Sequence, residues 1–214
     1  MQILRRAILL TALSAVACAS IVWGWDQAAQ RLISLWGQAP WGRFWGLAAY
    51  WLGHGGVLVA AVGVVIVWAQ LNHQRGARKF GLIALAVFVI SGLAVQAMKL
   101  LAGRPRPGAG LSMWDAFHLS LTGGMNSFPS GHATTSFALA AVLAARFPRA
   151  AWPCYGLAVL VAMGRVVGGS HFPSDVLAGT ALGLLVGWLS VWRLAPVRQL
   201  PEGRLLLGKA SLPS

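Results

Sequence analysis

Long apolar runs without a charged residue constrain this chain more than any other feature. Six can be read, at 7–25, 47–71, 80–98, 131–145, 150–164 and 176–192. The first three and the last approach the roughly 20 residues a helix needs to cross a bilayer. The fourth and fifth cross only if flanking polar residues join their helices. Pro153 stands near the start of the fifth, where a first helical turn tolerates it. Only 10% of the residues are charged and the mean hydropathy is +0.69, whereas a soluble domain carries about a quarter charged residues. The expected fold is therefore all-α: a polytopic membrane protein with six transmembrane helices in one bundle. Six spans would consume most of the 214 residues, so a single integral-membrane domain over 1–214 is expected.

The formal net charge is +13, from 17 Lys and Arg against four carboxylates. The basic residues are scattered in small groups between the apolar runs. A nucleic-acid surface gathers them into one stripe or patch, so anionic lipid head groups and a phosphorylated substrate are the better partners. The carboxylates are Asp26, Asp115, Asp175 and Glu202. So few leave little from which to build an oxygen cage around a metal, and no metal or cofactor is expected. Cys18 and Cys154 lie in apolar runs and read as small buried hydrophobes.

Orientation follows from the basic residues between the runs. With the N-terminus inside, the inner segments hold Arg5, Arg6, Arg75, Arg78, Lys79, Arg146, Arg149, Arg193, Arg198, Arg204 and Lys209. The outer segments hold Arg31, Arg43, Lys99, Arg104, Arg106 and Arg165. That imbalance places both termini in the cytoplasm. Residues 1–20 have the make-up of a cleavable signal, but the apolar run continues through Ile21, Val22 and Trp23, which favours a retained anchor. Trp23, Trp25, Trp36, Trp41, Trp45 and Trp51 cluster at the outer side as interfacial aromatics do, so segment 26–45 is a candidate surface-lying stretch.

Three polar clusters remain, and this topology brings all of them to the outer face. The first runs from Lys99 through Gly103-Arg104-Pro105-Arg106-Pro107. The second is Phe128-Pro129-Ser130-Gly131-His132, and the third runs from Arg165 through His171 to Asp175. Ionisable groups at span margins are costly, and their convergence calls for a function. Lys99, Arg106 and Arg165 supply positive charge and N–H donors suited to phosphate oxygens. Pro129-Ser130-Gly131-His132 reads as a helix start, with Ser130 as cap and free amides facing an anion. His171 and Asp175 are four apart, so the carboxylate can fix the imidazole tautomer and stabilise its cation. His132 is then left as general acid for the leaving group.

The arrangement resembles the type 2 phosphatidic acid phosphatase superfamily, which also includes vanadium haloperoxidases and glucose-6-phosphatases. Its signatures are Lys-x6-Arg-Pro, Pro-Ser-Gly-His and Ser-Arg-x5-His-x3-Asp. Lys99 to Arg106-Pro107 fits the first, Pro129 to His132 the second, and Arg165, His171 and Asp175 the third. Gly164 stands where the family usually has Ser. The resemblance covers residues 80–192. It implies that His171 attacks phosphorus to form a phosphohistidine, that Asp175 orients it, and that His132 protonates the leaving group and activates the water that follows. It further implies that Lys99, Arg106, Arg165, Ser130 and Gly131 hold the phosphoryl oxygens, with no metal. The implied activity is release of phosphate from a membrane lipid phosphate or diphosphate at the outer, periplasmic face of a bacterial inner membrane. Undecaprenyl diphosphate, phosphatidylglycerol phosphate, phosphatidic acid and lipid A phosphates are the substrate types of such bacterial relatives. The rival readings are a phosphatase of soluble esters, a vanadate-dependent oxidase, and a non-catalytic protein that binds or transports lipid phosphates.

Other polar residues invite plainer readings. His54, among Gly53, Gly55 and Gly56, reads as a hydrogen-bonded structural residue. His118 and Asp115 belong to a surface loop or to a substrate entrance, and His73 to the solvated inner loop. Arg104, two residues before the signature arginine, is either a further phosphate contact or a head-group anchor. The glycines at 53–56 and 179–187 suit close helix approach better than ligand binding.

Overall fold

The computed structural model describes residues 25–109 and 125–193, together with residues 10, 13, 14 and 17. All regular structure among them is helical. The helices are α1 (Asp26–Gln38), α2 (Pro40–Leu52), α3 (Gly55–Leu71), α4 (Arg75–Ala102), α5 (Gly131–Arg146), α6 (Ala151–Val167) and α7 (Pro173–Arg193). A 3-10 turn at Pro148–Ala150 leads into α6, and Pro153 does sit in that helix's first turn.

Three helical stretches among the described residues are long and apolar enough to cross a membrane: Arg75–Ala102, Pro148–Val167 and Pro173–Arg193. Helices α2 and α3 pass the same test as a pair bent by 49° at the Gly53-His54 break. The expected second run is thus two helices, beginning at Pro40 rather than at residue 47. The expected first span lies almost wholly outside the described residues, as do His118, Asp115 and Cys18. Helix α5 has 16 residues, about 24 Å at helical rise, short of the roughly 30 Å hydrocarbon core.

That short helix is the centre of the bundle. Thr134, Ala138 and Val142, at helical spacing, are completely buried, as is Ala133. Two apolar clusters flank it. One joins Ala133, Phe137 and Ala140 to Ala158, Ala162, Val166 and Val176, and the other joins Ala138 and Val142 to Val87 and Val191. Helix α7 crosses α5 along Gly179, Gly183 and Gly187. A Cβ at Gly179 would stand 2.5 Å from the Ser130 carbonyl oxygen, and one at Gly187 would stand 2.7 Å from that of Ala138. The stripe therefore lets two backbones meet, as small residues do between membrane helices. The outward faces are apolar instead: Val64, Leu71 and Leu93 are about two-thirds or more exposed. Such a surface suits lipid rather than water.

Helix ends meet at one end of this bundle. Helix α4 stops because Gly103 turns left-handed at φ 48°, its N–H bonding the Lys99 carbonyl at 3.0 Å, and the prolines at 105 and 107 cannot resume it. The Ser127 N–H then bonds the Arg104 carbonyl at 3.0 Å, and the Ser130 N–H bonds that of Asp175 at 2.9 Å. These bonds tie the end of α4, the start of α5 and the start of α7 together. All three signature clusters occupy this junction.

Candidate active site

His171 sits between α6 and α7, its residue 2% exposed. Its Nδ1 faces the Asp175 Oδ2 at 3.6 Å and the Ser127 hydroxyl at 3.5 Å. Both are acceptors there, because the Ser127 hydroxyl already donates to Asp175 Oδ2 at 2.6 Å. Nδ1 is accordingly the protonated nitrogen, and Nε2 carries the free lone pair. Burial pushes the His171 imidazole below its ordinary pKa of 6.5, Asp175 opposes the fall, and the positive charges of Arg106 and Arg165 add to it. The neutral, nucleophilic form is the one this setting favours near neutral pH.

Asp175 is itself fully held. Its Oδ2 also accepts the Phe172 N–H at 2.8 Å, and its Oδ1 accepts Arg104 Nη1 at 2.6 Å. Arg104 is buried rather than turned toward a head-group region, and its terminal nitrogens are held by protein partners. It is 2% exposed, with Nη1 also 2.7 Å from the Ser174 hydroxyl, Nη2 2.7 Å from Asp26 Oδ2, and its guanidinium 4.5 Å from the Phe172 ring centroid. Asp26, from the start of α1, takes the Ser174 N–H at 3.1 Å and the Ser174 hydroxyl in a very short contact. Two buried carboxylates therefore share one buried guanidinium, which is how such charges persist away from water.

His132 opens α5 from the opposite side. Its Nε2 lies 3.2 Å from the Tyr50 carbonyl oxygen, which can only accept, so Nε2 carries a proton and Nδ1 is the nitrogen free to exchange one. The Tyr50 ring lies 5.6 Å from the imidazole, and the Arg165 guanidinium carbon sits 5.4 Å from the same ring. Gly53 makes room for the histidine: a Cβ there would come within 2.8 Å of His132 Cδ2 and 2.6 Å of Val161 Cγ1. Arg165 and His171 both act electrostatically on His132, and Arg106 acts on Lys99, Arg165 and His171. The two histidines and three cations thus share one locality. Arg106 is braced by its Nε donating to Asn126 Oδ1 at 2.9 Å.

Two buried polar atoms in this locality have no protein partner: Ser130 Oγ and Arg165 Nε. Ser130 does occupy the cap position, with extended backbone, but its hydroxyl makes no capping bond. Thr134 fills that end of the helix instead, its N–H and hydroxyl both bonding the Ser130 carbonyl at 3.0 and 2.9 Å. A buried donor left without a partner is costly, and here two accompany the unpaired amides of a helix start. An anion placed there would give both an acceptor.

Sequence reasoning missed Asp26, Ser127, Asn126 and Tyr50. Asp26 left a trace, being one of only four carboxylates in a chain of charge +13. Gly164, where the family usually has Ser, is a packing choice: a Cβ would overlap that of Ala49 and approach Trp45 Nε1 to 3.1 Å. His54 stands at the α2–α3 break with its ring 5.2 Å from Tyr50 and 5.7 Å from Trp51, but its buried Nδ1 has no partner.

Two Rhizobium proteins named lipid A 1-phosphatase match this chain. That of Rhizobium etli is 40% identical over 112 residues, covering 48% of this chain and 44% of that protein. That of Rhizobium johnstonii is 38% identical, covering 48% and 42%. The matched part is under half the length of these relatives. The crystal structure of the first transmembrane PAP2-type phosphatidylglycerolphosphate phosphatase from Bacillus subtilis superposes with a TM-score of 0.67 at 26% identity, covering 92% of this chain and 98% of that one. Aquifex aeolicus LpxE gives 0.59 at 25% identity, covering 78% and 94%. The sequence pattern of the PAP2 superfamily matches residues 80–198, which contain all three signatures, and this chain belongs to that superfamily.

Proposed function

We propose that this chain is a metal-independent phosphatase of a membrane lipid phosphate or diphosphate, working through a phosphohistidine on His171. The observation that carries the reading is that Nδ1 of His171 and Nε2 of His132 face protein acceptors, leaving the other ring nitrogen of each for chemistry, in a locality with unpartnered donors at Ser130 and Arg165. Binding alone would need no such proton-transfer pair.

In the first step His171 Nε2 attacks phosphorus, forming the P–N bond as the P–O bond to the leaving group breaks. Asp175 holds the Nδ1 proton and balances the charge that develops on the ring. His132 gives its Nδ1 proton to the departing oxygen. The neutral His132 then takes a proton from water, whose oxygen attacks phosphorus. The P–N bond breaks, inorganic phosphate forms, and His171 is restored. Lys99, Arg106, Arg165, Ser130 and the Gly131 amide hold the equatorial oxygens, where their charge matters most as the transition state spreads its own.

A lipid tail has a path to this centre. An apolar groove of about 320 Å³ lies between α2 and α6, lined among others by Phe44, Trp45, Leu52, Leu157 and Val161. Val161 also adjoins Gly53 and so lies beside the pocket of His132. Relatives carry matching names: lipid A 1-phosphatase in Rhizobium etli and undecaprenyl-diphosphatase in Bacillus subtilis, the latter 32% identical over 63 residues. The basic-residue pattern supports a single domain in a bacterial inner membrane with the site facing the periplasm. The test is phosphate release by the purified chain from undecaprenyl diphosphate, phosphatidylglycerol phosphate, phosphatidic acid and lipid A, beside a soluble phosphate ester. Preference for a lipid is expected. Preference for the soluble ester would overturn the assignment.

A further inference from the structure

Beyond the reaction centre, a recess of about 530 Å³ opens between α1, α2 and the end of α6. Arg165 and Tyr50 form its inner wall, Ser34 and Gln38 of α1 line another side, and Arg43 stands at the start of α2. Arg43, Leu47 and Tyr50 fall at i, i+4 and i+7, on one face of α2, and all three line the recess. Arg43 is thus about 10 Å along the helix from Tyr50, and Tyr50 touches both Arg165 and His132. The recess is cut by glycines: Gly46 meets Gly168 so closely that a Cβ there would lie 3.2 Å from its Cα.

The charge in this recess is unbalanced. The described carboxylates are Asp26 and Asp175, and both are bound to Arg104. None lies on Arg43 or Arg165. One end of the recess therefore holds the guanidinium whose Nε is buried without a partner, and the other holds an exposed guanidinium on the same wall. Two cations lining one recess, with the polar side chains of Ser34, Gln38 and Tyr50 beside them, suit an anion larger than a single phosphate.

Resting on the lipid-phosphatase reading, we propose that this recess is a subsite for a second phosphate on the substrate head group, with Arg43 as its recognition residue. The scissile phosphate lies at Arg165, and the second, either bonded directly to the first or separated from it by a short polyol, extends toward Arg43 and Gln38. A lipid bearing one phosphate leaves the recess to water and gains nothing from Arg43.

The test uses the full chain in lipid nanodiscs with three substrates: phosphatidic acid, phosphatidylglycerol phosphate and undecaprenyl diphosphate. In Arg43→Gln the kcat/KM of at least one two-phosphate lipid, divided by that for phosphatidic acid, falls about tenfold, the scale of one lost charged hydrogen bond. Arg43→Lys recovers part of it. A fall with undecaprenyl diphosphate places the second phosphate next to the first. A fall with phosphatidylglycerol phosphate places it across the polyol. Arg31→Gln removes equal charge from α1 outside the recess and leaves the ratios as they were. The same ratios, read as dissociation constants on the His171→Ala protein, test the subsite whether or not turnover occurs. Unaltered ratios for both two-phosphate lipids, or an equal fall in Arg31→Gln, would overturn the proposal.

Discussion

Arg104 reaches across 71 positions of sequence to place Nη1 2.6 Å from Asp175 Oδ1, while its other terminal nitrogen holds Asp26. The carboxylate beside His171 is thus held by a cation at a non-signature position and, through it, by a second carboxylate far away in sequence. Asp175 cannot turn away from His171 without abandoning Arg104, Ser127 and the Phe172 amide together.

Removing that cation should be severe. Arg104→Ala leaves two buried carboxylates without a counter-charge, a loss on the order of 3–5 kcal/mol. Thermal unfolding in detergent should show a large fall in midpoint for Arg104→Ala, and a smaller one for Asp26→Asn, which keeps hydrogen-bonding capacity toward Ser174. If Arg104→Ala unfolds like wild type and only its KM rises, Arg104 contacts substrate after all.

The pH profile follows from the His171 environment. Burial lowers its pKa from 6.5, and the protonated ring cannot attack. The acid limb therefore belongs to His171, and on that side activity is lost as pH falls through the lowered value. Asp175 raises the His171 pKa, so Asp175→Asn shifts the acid limb to still lower pH while cutting kcat by about 10³ or more, by analogy with orienting carboxylates in other triads. A kcat/KM profile from pH 4 to 9 checks both; an acid limb moving upward in the variant would contradict the assignment.

Ser127 makes a 2.6 Å bond to Asp175 Oδ2 and faces His171 Nδ1. Ser127→Ala should lower kcat about tenfold with little change in KM, because it loosens the carboxylate without touching the phosphate. Steady-state kinetics on the preferred lipid decide it. A rise in KM alone would place Ser127 against substrate.

Gly164→Ser would bring this chain to the family's usual residue, yet α2 leaves no room beside Ala49 and Trp45. The substitution should cost about 1–3 kcal/mol through displaced packing, and Gly164→Ala nearly as much. Gains in stability or activity from the serine would contradict the packing account. Trp45 fluorescence offers a second readout, since its Nε1 donates to the Leu160 carbonyl at 3.0 Å in the same contact.

The convergence of the signature residues was legible because each belongs to a helix end that the apolar runs delimit. Lys99, Ser130, His132, Arg165, His171 and Asp175 stand at the spacings of the family they resemble. Their supports were not legible. Asp26, Tyr50 and Ser127 act through contacts that bridge distant segments, and no local pattern sets Tyr50 apart from the tryptophans around it. The ion pairs of Arg104 were hidden because an Arg-Pro pair beside the signature looks like a duplicate, and its partners Asp26 and Asp175 lie far away in sequence. Glycines misled less: the stretch 179–187 already implied a close helix approach, and the structure shows α5 as the helix approached. The bend at Gly53-His54 was hidden inside a single hydropathy run, since hydropathy is blind to direction.

The central claim is covalent. Purified protein mixed with lipid substrate carrying labelled phosphate, then quenched within milliseconds, should yield an acid-labile, alkali-stable label on the peptide containing His171. That label should be absent in His171→Ala and should accumulate in His132→Ala where a good leaving group permits the first step. Steady turnover by His171→Ala, or label on any other residue, would contradict the account.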